Sequence, residues 1–277
     1  MAASAKARLV VCGAAGRMGR LIVSLVRDSA DAELAGAVEA AGHATIGRDA
    51  GEVSDGRPLG VSITSDYAAV AAPDTVTLDF TAAEAALDHL RTAVAKRAAI
   101  VIGTTGFSPA EREEAERIAP QTRAIIAPNM SVGVNVLLRL VADAARLLGD
   151  GFDPEIVELH HRLKADAPSG TAIALGRAAA TALGRDLDRD GVYGRKGLVG
   201  KRTDAEIGVV ALRGGDAIGD HTVYFIGAGE RLELTHRAQS RDCLARGAVR
   251  AGVWLSRQKR PGLYSMADVL GVRPRGA

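Results

Sequence analysis

Short apolar runs alternate with amphipathic stretches through the first half of the chain. Arg8 to Cys12 (RLVVC) is a brief apolar run stopped by Gly13, the pattern of a strand buried on both faces. MGRLIVSLVRD follows at helical spacing and puts Leu21, Ile22, Leu25 and Val26 on one face. ELAGAVE (33–39) predicts a second strand, and the polar, glycine-rich stretch from Ala40 to Pro58 reads as a long loop. The alternation resumes with the strand pattern TVTLDF (75–80), the helix pattern AAEAALDHLRTAVAKR and the strand pattern AIVIG (99–103). In SPAEREEAERIA, Ser108 stands where a helix cap belongs and Pro109 at the first helical position. RAIIAPN (123–129) is the next strand. Strands recurring at this spacing are those of βαβ units, which predicts a parallel sheet with helices on both faces.

Beyond Asn129 the pattern changes. Val134 to Leu148 is a long apolar helix leading into the strand-like PEIVELHH, and another helix begins near Ser169. Residues 185–205 are polar and irregular. Three strand-like runs then follow with no helix between them, at 207–213, 221–227 and 230–236, the last two joined by a short glycine-containing turn. This predicts a second architecture with a mixed or antiparallel sheet. Gly247 to Ser256 lies in one more helix-like stretch.

Composition narrows the field without deciding it. The 277 residues are 47% hydrophobic and 25% charged, the balance of an ordinary globular protein with one large or two modest domains. Thirty-five basic and 33 acidic side chains leave a net charge of +2, so neither a nucleic-acid nor a membrane partner is expected. The apolar run in MAASAKARLVVCG is too short for a secretory core or a membrane span, and a cytoplasmic protein is expected. Cys12 and Cys243 lack a CxxC spacing; they predict neither zinc nor a disulfide framework.

Gly13, Gly16 and Gly19 lie in GAAGRMG, directly after the first strand and opening the first helix. In that context glycines allow a tight turn and close approach of a pyrophosphate, which the helix N-terminus attracts. The spacing is GxxGxxG, a looser match than GxGxxG, and a glycine triplet also serves plain turn and packing needs. Glu39 ends the second strand, where a carboxylate can accept the adenosine ribose hydroxyls, although a surface glutamate would look the same. Gly103-Thr104-Thr105 and Ala127-Pro128-Asn129-Met130 follow two later strands, at the sheet edge that forms the ligand crevice of a doubly wound fold.

ELHHRLKADAPSGTA (158–172) gathers two histidines, an arginine and a lysine ahead of a helix start. If the strand continues through His160 and His161, the two imidazoles point to opposite faces. Ser169 is the expected N-cap, and the N–H groups of Gly170 and Thr171 then remain for an anion. A histidine acid or base beside a lysine cation suits a carboxylate-bearing substrate. A polar loop before a capped helix is the plain alternative. Zinc binding by the His pair lacks further ligands nearby, so no metal is expected, and Ser169 lacks the G-x-S-x-G elbow of a hydrolase.

The segment Glu158-x-His160-His161-x-x-Lys164-x-Asp166-x-Pro168-Ser169-Gly170-Thr171-Ala172 resembles the signature of the 4-hydroxy-tetrahydrodipicolinate reductase (dihydrodipicolinate reductase) family. GAAGRMG, DFT (79–81), VIGTTGF (101–107), PNMSVGVN (128–135) and GLYSMADVL resemble the same family in the same order. The resemblance implies NADH- or NADPH-dependent reduction of a cyclic imine dicarboxylate on the diaminopimelate route to lysine. It implies a Rossmann-type doubly wound domain, 1–130 with 241–277, and an α+β domain, 131–240, that holds substrate and forms a homotetramer. His160 then resembles the proton donor or acceptor and Lys164 a second proton donor. His161 and the Ser169, Gly170, Thr171 helix start match substrate contacts. Gly13, Ala14, Ala15, Gly16, Arg17, Met18, Glu39, Gly103, Thr104, Thr105, Ala127, Pro128, Asn129 and Met130 match dinucleotide contacts. Some family members carry Arg after the acidic residue, where Ala40 stands here. Its loss weakens NADPH more than NADH, while Arg17 can reach the same phosphate; dual use with a lean toward NADH is expected. Another nicotinamide-dependent oxidoreductase of similar build and a non-catalytic dinucleotide sensor stay open as alternatives.

Overall fold

The structure, a computed structural model, describes residues 5–272. The expected domain ranges 1–130 and 241–277 therefore begin and end outside the described residues. Within them the chain forms two compact units, one from 5–132 with 242–272 and the other from 133–241.

The first unit is built on a seven-stranded sheet. Its strands are β1 (Ala7–Cys12), β2 (Ala32–Val38), β3 (Ile63–Thr64), β4 (Thr75–Asp79), β5 (Ala99–Ile102), β6 (Arg123–Ile126) and, after the second unit, the strand Gly262–Tyr264. The order across the sheet is β3-β2-β1-β4-β5-β6 followed by that last strand, and every pairing is parallel. Chain reversal on either side of β1 is the doubly wound arrangement. Nearly every residue of β1, β4 and β5 is buried, as strands covered on both faces require. Helix α1 (Arg17–Arg27) buries Gly19, Ile22, Val23 and Val26, so the expected apolar stripe is rotated toward Val23, while Leu21 and Leu25 pack only partly. Each fully buried aliphatic side chain contributes roughly 1.5–3 kcal/mol.

The stretch expected as a loop at 40–58 carries a short helix, α2 (Ala50–Asp55). Asp49 caps it by accepting from the N–H groups of Gly51 and Glu52, and it also holds the returning chain at Leu59 and Gly60. Four clustered N–H donors on one carboxylate give an otherwise polar segment a fixed shape. Helices α3 (Tyr67–Val70), α4 (Ala83–Lys96) and α5 (Pro109–Ile118) follow. Ser108 caps α5 in a reciprocal capping box with Glu111, with Pro109 in the first turn.

Helix α6 (Val132–Leu148) leads into the second unit, whose strands are β7 (Asp153–His160), β8 (Gly191–Val192), β9 (Ile207–Arg213), β10 (Asp220–Ile226) and β11 (Arg231–Arg237). Their order is β11-β10-β7-β9-β8. β7, β9 and β8 run parallel, while β10 is antiparallel to both β7 and β11, so the sheet is mixed. Helix α7 (Gly170–Ala182) and α6 cover one face, where Ile156, Val209, Val223 and Phe225 are buried. On the other face Val157, Leu159, Val210 and Tyr224 stay half-buried and Leu212 exposed. The segment expected to be irregular at 185–205 contains two short elements, α8 (Leu187–Asp190) and β8.

The chain then returns to the first unit through α9 (Asp242–Ser256), β12 (the Gly262–Tyr264 strand) and α10 (Met266–Leu270). Ala245, Ala248, Ala251 and Leu255 enter the core beside β1 and β4. Among the described residues no helix is long and apolar enough to cross a membrane.

Candidate active site

Parallel strands end on a common edge, and the first unit places its glycine-rich and polar turns there. Along that edge stand Ala127–Met130 after β6, Gly103–Thr105 after β5, Phe80-Thr81 after β4, the Gly13 turn after β1 and Glu39 after β2. This is the crevice where a doubly wound sheet receives its ligand.

The turn after β1 is tight for identifiable reasons. Gly13 has φ +75°, and its N–H donates to the Val38 carbonyl at 2.9 Å. The Gly16 N–H closes back on the Gly13 carbonyl at 3.0 Å. A Cβ on Gly19 would lie 2.0 Å from the Gly13 carbonyl oxygen and 2.7 Å from the Ala14 Cα, so only glycine lets α1 start this close to the turn. Gly16 provides no side-chain cap and the first turn of α1 holds no carboxylate. The opening N–H groups of the helix are thus suited to an anion such as a pyrophosphate.

Glu39 is fixed beside this turn: one oxygen accepts from the Ala15 N–H at 2.9 Å, the other from the Ala40 N–H at 3.1 Å. Each oxygen keeps a further lone pair for a sugar hydroxyl. A cavity of about 510 Å³ opens here, lined by Gly13, Ala15, Gly16, Glu39, Ala40, His43, Phe80, Thr81 and His89 among others. Arg17 and Met18 begin α1, and Ala14 is buried beneath the turn. Thr104 is buried and donates its hydroxyl to Asp79 Oδ1 and the Thr81 carbonyl, steadying the Gly103–Thr105 turn. Asn129 Oδ1 accepts from the Ser131 N–H at 2.9 Å, and Met130 is buried. The glycine cradle, uncapped helix start and anchored carboxylate together fit a dinucleotide.

Two features of this edge were given no role from the sequence, although Asp79 stands in the DFT motif (79–81). Asp79, fully buried, receives His89 Nδ1 at 2.6 Å and the Thr81 hydroxyl at 2.7 Å. Cys12, Asp79 and His89 offer ligand atoms within 4.8 Å of one another. Burial, with Asp79 and Glu39 nearby, pushes the Cys12 thiol well up. His43 is the other, brought to the cavity by a turn described below.

The second unit assembles its chemistry around β7. Glu158 and His160 lie two residues apart on the strand and so share a face. His160 Nδ1 meets Glu158 Oε2 at 2.6 Å. Strand pairing sets His221 of β10 opposite Glu158, and Arg213 of β9 opposite His160. Arg213 grips both Glu158 oxygens, at 2.7 and 2.9 Å, and the Ser169 N–H donates to Oε1 at 2.9 Å. Burial alone would raise the Glu158 carboxyl, but Arg213, His160 and the Ser169 N–H outweigh it and hold it below the usual range. An ionised carboxylate only accepts, so the Nδ1 proton of His160 is directed to it and Nε2 is left to give or take a proton.

His221 stacks edge-on against His160 with ring centres 5.1 Å apart, and its Nε2 lies 3.0 Å from the Ser169 hydroxyl. Burial first, then the neighbouring His160, pulls His221 down to about 4, so it is neutral at pH 7. Ser169 is the expected N-cap of α7, its hydroxyl accepting from the Ala172 N–H at 3.2 Å. The Ser169 side chain is buried and turned inward, and Gly170 and Thr171 are the first residues of α7.

The strand does not continue through His161. β7 ends at His160, where Gly214 donates to the His160 carbonyl, and the His161 N–H turns to Ala217 at 2.7 Å. The expected opposition of two imidazoles on one strand is therefore replaced by a turn from His161 to Lys164. His161 Nδ1 is buried with no partner among the described residues, a donor or acceptor left for a ligand. Lys164 forms a two-pronged pair with exposed Asp166, both contacts 2.8 Å, which draws the Asp166 carboxyl down. Of the residues in this network, Glu158 stands in the family signature but has no role assigned from the sequence, although period two sets it on the face of His160, whereas Arg213 and His221 become visible only once β9 and β10 are paired with β7.

The sequence matches two family profiles, "Dihydrodipicolinate reductase, N-terminus" over residues 7–130 and "Dihydrodipicolinate reductase, C-terminus" over 133–270. A relative from Syntrophobacter fumaroxidans named 4-hydroxy-tetrahydrodipicolinate reductase is 54% identical, covering 96% of this chain and 99% of its own. One of the same name from Pelobacter propionicus is 52% identical with the same coverage. The fold is similar to that of a dipicolinate-bound dihydrodipicolinate reductase from Paenisporosarcina sp. TG-14, with TM-score 0.72, 23% identity and coverage of 95% of this chain and 99% of the other. Likeness of this extent in sequence and fold places the chain in the dihydrodipicolinate reductase family.

Proposed function

We propose that the chain is an NAD(P)H-dependent oxidoreductase that reduces 4-hydroxy-tetrahydrodipicolinate, or the ring formed from it by loss of water, to tetrahydrodipicolinate. The observation that carries this reading is 52–54% identity, over 96% of the chain, to relatives bearing that name, joined to the pair of buried Glu158 and partly buried His160 beside a helix start. The first unit then serves as the dinucleotide domain, 1–130 with 241–277, and 131–240 as the substrate domain. A nicotinamide dinucleotide, its pyrophosphate at the Gly13 turn and its adenosine ribose at Glu39, would supply the hydride. Net, a hydride and a proton enter the conjugated imine ring, and the hydroxylated substrate also releases water.

The residues of the second unit handle the proton and the charge. His160, oriented by Glu158, delivers or removes the proton through Nε2. Lys164 acts as a second proton donor and, with His161 and the Gly170-Thr171 helix start, holds the carboxylates. Lys164 already pairs with exposed Asp166, so an incoming carboxylate can replace a partner that solvent will take up. The half-exposed sheet face around Val157, Val210 and Leu212 supports assembly with further copies, and we read the protein as a cytoplasmic homotetramer.

With Ala40 where a guanidinium would meet a 2′-phosphate, both cofactors are used, with NADH favoured. The test is a coupled assay that generates the labile substrate in place and follows NADH and NADPH oxidation. Steady oxidation of both, faster with NADH at limiting concentration, is expected. Absence of substrate-dependent oxidation with either cofactor would overturn the proposal.

A further inference from the structure

We propose that His43 is the residue that reads the cofactor's 2′-phosphate, so that discrimination between NADPH and NADH is governed by proton uptake at this imidazole. The inference rests on the dinucleotide reading of the Gly13 cavity and goes beyond it by assigning cofactor choice to a residue of the loop after β2.

Ala40 follows Glu39 directly and brings no charge to the ribose end of the cavity. The chain then reverses: Gly42 has φ +80°, and the His43 N–H donates to the Ala40 carbonyl at 3.0 Å. This turn brings His43 back beside Ala40, and His43 joins Glu39, Ala40, Ala41 and Ser65 in the cavity lining. Arg17, the other cation of this neighbourhood, is exposed at the start of α1 and does not line the cavity.

The ring is held through Nδ1 in either charge state, which leaves Nε2 for a ligand. His43 Nδ1 accepts from the Thr45 N–H at 3.3 Å and lies 2.8 Å from the Thr45 hydroxyl. In the neutral ring, acceptance at Nδ1 puts the proton on Nε2. In the charged ring, Nδ1–H donates to the Thr45 hydroxyl oxygen, which can both give and accept. Thr45 is buried, so its hydroxyl is a fixed partner through the change. In both states Nε2–H is the pole available to a phosphate oxygen, and a dianionic phosphate favours the charged ring.

Other titratable groups do not replace it. Glu39 faces the same cavity and repels a phosphate, which makes a counter-cation necessary there. His89 of α4 also lines the cavity, but its Nδ1 is held by Asp79. Arg48 before α2 and Asp66 before α3 stand outside the lining.

Titration calorimetry of the full-length protein, with NADPH and NADH separately, tests the inference in paired buffers of different ionisation enthalpy. At pH 7.5 the phosphate is already almost wholly dianionic, because its second pKa is about 6, so proton uptake on binding reports on the protein. NADPH binding is expected to take up roughly half a proton and NADH close to none. The NADPH-to-NADH affinity ratio should rise about five- to tenfold from pH 8.5 to 6.5, one unit of pKa change being a tenfold effect. In His43→Ala the uptake disappears, and NADPH affinity falls at least fivefold more than NADH affinity. NADPH binding without proton uptake, or with the same uptake in His43→Ala, would overturn the assignment while leaving the dinucleotide reading intact. Failure of the wild-type protein to bind either dinucleotide would instead remove that reading, and this inference with it.

Discussion

Glu158 is fully buried on a central strand, and Arg213, the Ser169 N–H and His160 surround its two oxygens. The carboxylate therefore holds His160 in one tautomer and orientation. Replacing it with Gln retains size and the ability to hydrogen-bond, but allows an amide N–H to face Nδ1 and the imidazole to hold the wrong proton. Glu158→Gln is expected to lower kcat about 100-fold or more, to leave the NADH Kd nearly unchanged, and to distort the pH–rate profile. A variant within twofold of wild type, with an unaltered profile, would show that Glu158 merely fills space. At this scale the sequence is informative along a strand and silent across strands. Period two puts Glu158 and His160 on one face, but Arg213 is 55 positions from Glu158 and nothing local announces it. The condition that the strand run on through His161 is not met for a similar reason: backbone bonds to Ala217 and Gly214, distant in sequence, end the strand at His160.

Among the elements, the strand–turn–helix from β1 to α1 is the one whose function follows most directly from sterics. Gly16 and Gly19 look alike in the motif, yet an added Cβ meets the Gly13 carbonyl at 3.2 Å from position 16 and at 2.0 Å from position 19. Gly19→Ala must therefore shift backbone against backbone, at a cost of about 2 kcal/mol or more. Denaturant unfolding and dinucleotide titration should both register the change, with clearly smaller effects for Gly16→Ala. Equal, small effects at the two positions would contradict the packing described. The long strands and helices were legible because each carries several turns of period. Short elements were not: β3, β8 and β12 span two or three residues, and α2 is held by the Asp49 cap within a polar stretch that has no apolar stripe. The residues 185–205 hid α8 and β8 in the same way.

For the whole molecule, parallel pairing gathers the turns after β1, β2, β4, β5 and β6 on one edge of the first sheet. The mixed sheet brings β7, β9 and β10 together around Glu158 in the second. Strand alternation in one half and its loss in the other announced both architectures, while the strand orders emerged only with the fold. In the proposed reaction, hydride from a reduced nicotinamide enters the dicarboxylate ring. Mass spectrometry of the product formed with cofactor deuterated at the transferring position tests it most directly. One deuterium per product molecule from wild type, with its rate of appearance sharply lowered in His160→Gln, is the expected result. Product formed without the label, or no product from protein that binds both cofactor and substrate, would contradict it.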